Sequence, residues 1–184
     1  MSQPEVYNIA QTPITCHVFS ADRREVALSL NSNEAQILSK QGHEWKVTET
    51  LAEVPRQTHH LNRLGTKSNR IVTASQDRNA YVWTQTPDVA TGRMAWKPTL
   101  VLLRIKRAAT FVRWSPNEDK FAVASGARAI AVLCSFDPES DWWVARQLKK
   151  PFRPTVLSVD WHPNNVLLAA GSADMKARLL SAYI

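Results

Sequence analysis

The feature that most constrains this chain is a repeat. Trp114-Ser-Pro-Asn-Glu and Trp161-His-Pro-Asn-Asn stand 47 residues apart, and each is followed by a short apolar run and a polar turn. The later copy is the clearer one. Leu157, Val159 and Trp161 alternate with Ser158 and Asp160, Val166 to Ala170 is largely apolar, and Ala177 to Leu180 follows a Ser-Ala-Asp turn. No apolar stripe recurs at helical spacing, so three short strands are predicted. The same template fits Phe19-Ser-Ala-Asp-Arg, with Val26 to Ser29 and Ala35 to Leu38 as its next strands, and it fits Arg70 to Trp83. Turn residues then fall at Ser32, Asp77, Arg128 and Asp174, with spacings of 45, 51 and 46. Fourth strands are predicted at Trp45 to Leu51, Trp96 to Leu103 and Trp142 to Leu148.

A period in the forties, made of strands and turns without helices, predicts an all-β propeller built from four-stranded blades. The blades are 10–53, 54–104, 105–152 and 153–184, the last lacking its outer strand. Thr86 to Met94 reads as a lengthened loop that accounts for the longest spacing. A single blade has too small a core to fold alone, and packing against its neighbours buries it. Trp161, Trp114 and Phe19 share one first-strand position and are expected in that core, each worth ~1.5–3 kcal/mol when buried. Four blades make an open ring with two apolar lateral faces, and Val6 to Ile9 has no last blade to complete. Such a stack is expected to be marginally stable or to aggregate when made alone.

Composition narrows the function classes. With 44% hydrophobic residues and seven Trp the chain is globular, not disordered. Its net charge of +7 is spread in pairs such as Arg23-Arg24 and Lys149-Lys150, as a solvated surface would be. Cys16 and Cys134 are far apart and belong to no Cys/His cluster, which argues against a disulfide framework or a zinc site. There is no basic start followed by an apolar segment, and no run approaches the ~20 apolar residues of a membrane helix, so a cytoplasmic, membrane-free protein is expected. No phosphate-cradling Gly-rich loop or Gly-x-Ser-x-Gly is present, so no catalytic residue and no cofactor are assigned. His59 and His60 are adjacent, and adjacent strand residues point to opposite faces, so they are not read as a metal pair.

One stretch breaks the pattern. Blade 2 should begin with an alternating strand, yet Thr58 to Thr66 reads Thr-His-His-Leu-Asn-Arg-Leu-Gly-Thr. Read one nucleotide later, codons for these residues permit His-Ile-Thr-Ser-Ile-Asp-Trp-Ala-Pro, which is the missing strand. A displaced reading frame between about Val54 and Thr66 is therefore expected, and as written the segment should make a poor inner strand.

Ser75, Asp77 and Trp83, with Ser172 and Asp174 at matching positions, resemble WD-repeat blades. There a second-strand hydroxyl and a turn Asp join a hydrogen-bond network with the Trp ending the third strand. A tight turn leaves backbone donors that a carboxylate accepts from, so these residues are read as turn architecture. Longer stretches are more specific: Asp77-Arg-Asn-Ala-Tyr-Val-Trp, Arg107-Ala-Ala-Thr-Phe-Val-Arg-Trp-Ser-Pro, Lys120-Phe-Ala-Val-Ala-Ser-Gly-Ala-Arg, Asp141-Trp-Trp-Val and Thr155 to Ser172. Together they resemble the family of subunit 1 of the actin-related protein 2/3 complex, over its N-terminal half.

That resemblance implies a seven-bladed propeller, of which about four blades are expected here, acting as a non-catalytic scaffold in the assembly that nucleates branched actin filaments. It implies as partners the other subunits and, through the whole complex, the actin filament and nucleation-promoting factors, in actin-rich parts of the cytoplasm. The alternative is an independent WD-repeat adaptor for another protein or a nucleic-acid assembly, or a truncated product without function. Candidate partner contacts are residues the repeat does not require: Arg78, Arg107, Arg128, Trp142, Trp143, Lys149, Lys150 and Arg153.

Overall fold

The computed structural model describes residues 5–30, 32, 34–51, 58–63, 69–89, 91–126, 132–148 and 155–183, with 58–63 and 132 as backbone only. Among the described residues there are fifteen strands in four antiparallel sheets and no helix. Sheet 1 holds β1 (Ile14–Phe19), β2 (Glu25–Leu30), β3 (Ala35–Gln41) and β4 (Glu44–Leu51). Sheet 2 holds β5 (Thr58–Arg63), β6 (Arg70–Ser75), β7 (Ala80–Pro87) and β8 (Met94–Val101). Sheet 3 holds β9 (Ala109–Trp114), β10 (Lys120–Ser125), β11 (Val132–Asp137) and β12 (Trp142–Gln147). Sheet 4 holds β13 (Val156–Trp161), β14 (Leu167–Ser172) and β15 (Lys176–Ser181). Each sheet is a simple meander. First strands pack beside first strands, β1 against β5, β5 against β9 and β9 against β13, as in a propeller whose ring does not close.

The second strands explain why this chain reads as short apolar runs and not only as alternation. Nearly every residue of β2, β6 and β10 is buried, because each strand carries a neighbouring sheet on both faces or, for β2, a sheet on one and a chain segment on the other. One cross-strand pair per sheet points forward along the chain: Ala27 with Ile37, Val72 with Val82, Ala122 with Leu133, and Ala169 with Leu179. One points back: Val26 with Leu38, Ile71 with Trp83, Phe121 with Cys134, and Leu168 with Leu180. The forward pair of each of the first three sheets shares a core cluster with the backward pair of the next. A single seam design is thus used three times.

The turns between first and second strands repeat as closely. Ser20 N–H donates to Glu25 O, Ser115 N–H to Lys120 O and His162 N–H to Leu167 O, at 2.8–2.9 Å. Inside each, Arg23, Glu118 or Asn165 returns an N–H to Ser20, Ser115 or His162 and adopts positive φ, at 56°, 64° and 62°. The chain has only five Gly, so non-Gly residues hold these left-handed positions, with Asn165 the best suited of the three.

Several expectations are corrected. Thr58–Arg63 does form the inner strand of sheet 2, pairing with β6 through a bulge between Thr58 and His60; the backbone ladder from β6 stands where a favourable side-chain pattern is missing. The Thr86 to Met94 loop is mostly hairpin: β7 runs to Pro87 and β8 starts at Met94, with Asp88 N–H bonded to Arg93 O at 2.8 Å and Gly92 at φ 64°. Phe19 is not core. It is 48% exposed, whereas Trp114 and Trp161 at the same position are buried, because among the described residues no neighbouring sheet covers that side of sheet 1. In the segment before β1, Ile9 and Ala10 pack on Val26, Leu28, Leu30 and Leu38.

Candidate functional site

In sheet 2 the turn carboxylate organises its own hairpin. Asp77 Oδ1 accepts from Asn79 N–H at 3.0 Å, and Oδ2 accepts from the Tyr81 hydroxyl at 2.9 Å. Burial, with the bond to Asp77 adding to it, pushes the Tyr81 phenol up to about 12. Ser75 Oγ accepts from Asp77 N–H at 3.4 Å, while Trp83 Nε1 donates to Thr73 Oγ1 at 3.2 Å in the fully buried core. The Trp83 network therefore runs through Thr73, two residues before the expected Ser75 on the same face of β6.

Sheet 4 repeats the device with different chemistry. Arg178 stands where Tyr81 stands and grips Asp174 with both terminal nitrogens, at 3.1 and 2.5 Å, and Lys176 N–H caps Oδ1. The guanidinium holds the Asp174 carboxyl well below the usual carboxylate range. Arg78 and Met175, at φ 72° and 60°, are the exposed tips of these two turns. The side chain of Ser172 is buried beneath the second turn.

The seam between sheets 3 and 4 carries polar links that the sequence reading did not single out. Asn165 Nδ2 donates to both carboxylate oxygens of Asp119 at 3.2 Å, and its Oδ1 accepts from Asn117 N–H at 3.1 Å. Thr110 Oγ1 donates to Val156 O at 2.9 Å and Trp161 Nε1 to Arg113 O at 3.1 Å. Lys120 is buried, with Nζ 3.3 Å from Ala182 O and 5.5 Å from the Trp161 ring centroid. A lysine opening an otherwise apolar second strand was the available signal. Asn165 and Asp119 look like ordinary turn residues until the two turns are stacked. Between sheets 1 and 2, Glu49 accepts from Trp96 Nε1 and lies 3.4 Å from Gln85 Nε2.

The candidate contacts separate sharply. Trp143 is buried against Trp114, Phe121 and Phe136, with Arg70 above it; adjacent strand residues face opposite ways, and Trp143 took the inward one. Trp142, 43% exposed, took the outward one. Arg78 and Arg107 are exposed. Arg128, Lys149, Lys150 and Arg153 lie outside the described residues. Among the described residues no group of three or more His, Cys, Asp or Glu could hold a metal, and no helix is long and apolar enough to cross a membrane. A groove of about 440 Å³ lies beside sheet 1, lined by Tyr7, Ile9, Phe19, Leu28 and Trp45 among others.

Sheets stacked by a repeated seam, with Asp77 and Asp174 bracing the hairpins of sheets 2 and 4, define a WD-repeat array. The WD domain, G-beta repeat family model matches residues 146–180, which include most of sheet 4. Over longer stretches the chain is 55% identical across 174 residues to actin-related protein 2/3 complex subunit 1A-B of Xenopus laevis, covering 94% of this chain and 44% of that protein. It is 52% identical across 184 residues to subunit 1 of Schizosaccharomyces pombe, covering all of this chain and 47% of that protein. It is 42% identical across 186 residues to subunit 1A of Arabidopsis thaliana, with the same coverage. The chain belongs to the family of actin-related protein 2/3 complex subunit 1, and it spans about half the length of the curated relatives it matches.

Proposed function

We propose that this chain is a non-catalytic scaffold of the actin-related protein 2/3 complex, contributing to the assembly that nucleates branched actin filaments. The observation that carries the reading is identity of 42–55% along essentially the whole chain to proteins named as subunit 1 of that complex. The structure is consistent with it: Tyr81 and Asp174, whose pKa values are shifted, serve hairpin turns through the Tyr81–Asp77 and Arg178–Asp174 bonds. Its partners are then the other subunits, met through exposed turns such as those of Arg78 and Arg107, and the actin filament and nucleation-promoting factors are met only through the whole complex, in the actin-rich cytoplasm. Co-purification tests this. A tagged chain should bring down both actin-related proteins at moderate salt, and reversing charge at Arg78 and Arg107 should weaken recovery. Recovery of nucleic acid alone, lost steeply as salt rises, would instead support the adaptor reading.

A further inference from the structure

Where the outer strands of sheets 1 and 2 meet, β4 and β8 border a groove of about 420 Å³ lined by Glu49, Trp83, Met94, Trp96 and Pro98 among others. Both sheets that form it have their four strands within the chain. We propose that this groove receives an arginine side chain of a partner protein, taken between the Glu49 carboxylate and the Trp96 indole. The site is independent of which assembly the chain joins.

The carboxylate is held in place by neutral donors. Asn69 Nδ2 donates to Gln85 Oε1 at 2.7 Å, Gln85 Nε2 lies 3.4 Å from both Glu49 oxygens, and Trp96 Nε1 donates to Glu49 Oε2. Trp96 is in turn fixed on the core cluster of this seam. Among the described residues no Lys, Arg or His pairs with Glu49, and Lys46 on the same strand pairs with Glu44 at 3.8 Å. An ionised carboxylate has about four acceptor positions, and Glu49 Oε1 holds only the long contact to Gln85. A half-buried negative charge is therefore oriented, not neutralised, and left with room to accept. Arginine fits it better than lysine, because a planar guanidinium stacks on an indole face while its edge donates to a carboxylate. Met94, 54% exposed, and the exposed Pro98 offer apolar surface to the methylene stem.

The indole N–H signals of the full chain in heteronuclear NMR read the site directly. There are seven Trp, and the Trp96 signal is the one missing from Trp96→Phe. With the blocked tripeptide Gly-Arg-Gly as probe, the Trp96 signal should shift saturably at about millimolar concentration, and with Gly-Glu-Gly it should not move. Glu49→Gln keeps an oxygen for the Trp96 indole, so the urea midpoint should stay where it is while binding weakens about tenfold. Met94→Lys, which alters an exposed side chain and supplies a cation to the groove from within the chain, should abolish binding. A Trp96 signal that ignores Gly-Arg-Gly or follows both peptides alike, or a Glu49→Gln chain that binds as well as the unaltered one, would overturn the proposal.

Discussion

Asn165→Ala is the sharpest probe of the seam between sheets 3 and 4. The residue is 8% exposed, sits at φ 62°, and bonds across the seam to Asp119 and to Asn117 N–H. Losing the neutral bond costs about 1 kcal/mol, and losing the bifurcated bond to a carboxylate about 1.5 kcal/mol or more. Asp119 keeps the Ser115 hydroxyl at 2.7 Å, so its charge is not left without a donor. Ala is also less comfortable than Asn in the left-handed region, by up to about 1 kcal/mol. The sum is about 2–4 kcal/mol. Asn165→Gly removes the same bonds without the side-chain conformational penalty, and should cost about 1 kcal/mol less than Ala. Urea unfolding at fixed protein concentration reads this as a fall in midpoint with unchanged slope. A double-mutant cycle with Asp119→Asn should show coupling above about 0.5 kcal/mol. A loss below about 0.5 kcal/mol for Asn165→Ala, or no coupling, would refute the idea that stacked turns brace the seam.

Leu133→Ala, at the buried forward position of sheet 3, should cost about 2–5 kcal/mol in the same assay, whereas Leu179→Ala at the matching exposed position should cost under about 0.5 kcal/mol in the monomer. Asp174 has a depressed pKa in the folded chain, so its contribution is present above its unfolded pKa of about 4 and is lost as pH falls through the lower folded value. Acid unfolding of Asp174→Asn should accordingly be less steep below about pH 4 than that of the unaltered chain. Burial pushes the Cys134 thiol up and out of reach, while Cys16 is half-buried, so a thiol reagent should label Cys16 first and Cys134 only on unfolding. Sequencing the codons for residues 54–66 settles the frame: the displaced-frame reading expects Trp and Pro codons one nucleotide on from Leu61 to Thr66, and codons that exclude them end it.

The repeat was legible because its turns carry residues with a mechanism. Pro-Asn before the second strand of sheets 3 and 4, and Asp77 or Asp174 before the third strand of sheets 2 and 4, favour hairpins there, so strand order could be read from spacing. What could not be read was anything decided by a neighbouring sheet. Phe19 and Trp161 hold the same position, and only the presence of a preceding sheet buries one and leaves the other open. Trp142 and Trp143 differ by a strand's alternation, whose phase was fixed by the aromatic cluster of Trp114 and Phe121. Thr73 and Ser75 both offer a hydroxyl on the same face, and the reach of the Trp83 indole chose the nearer. Asn165 with Asp119 is a contact between repeats, which no single copy of the repeat can display.

The central claim, that this chain carries the subunit 1 surface of the actin-related protein 2/3 complex, is tested most directly by adding the purified chain to the complex reconstituted without that subunit and following its mass. The account predicts that the chain joins in a one-to-one ratio, and that Asn165→Ala, by loosening the sheet 3–4 seam, lowers the fraction bound. A complex that keeps its mass while the folded chain stays free would contradict it.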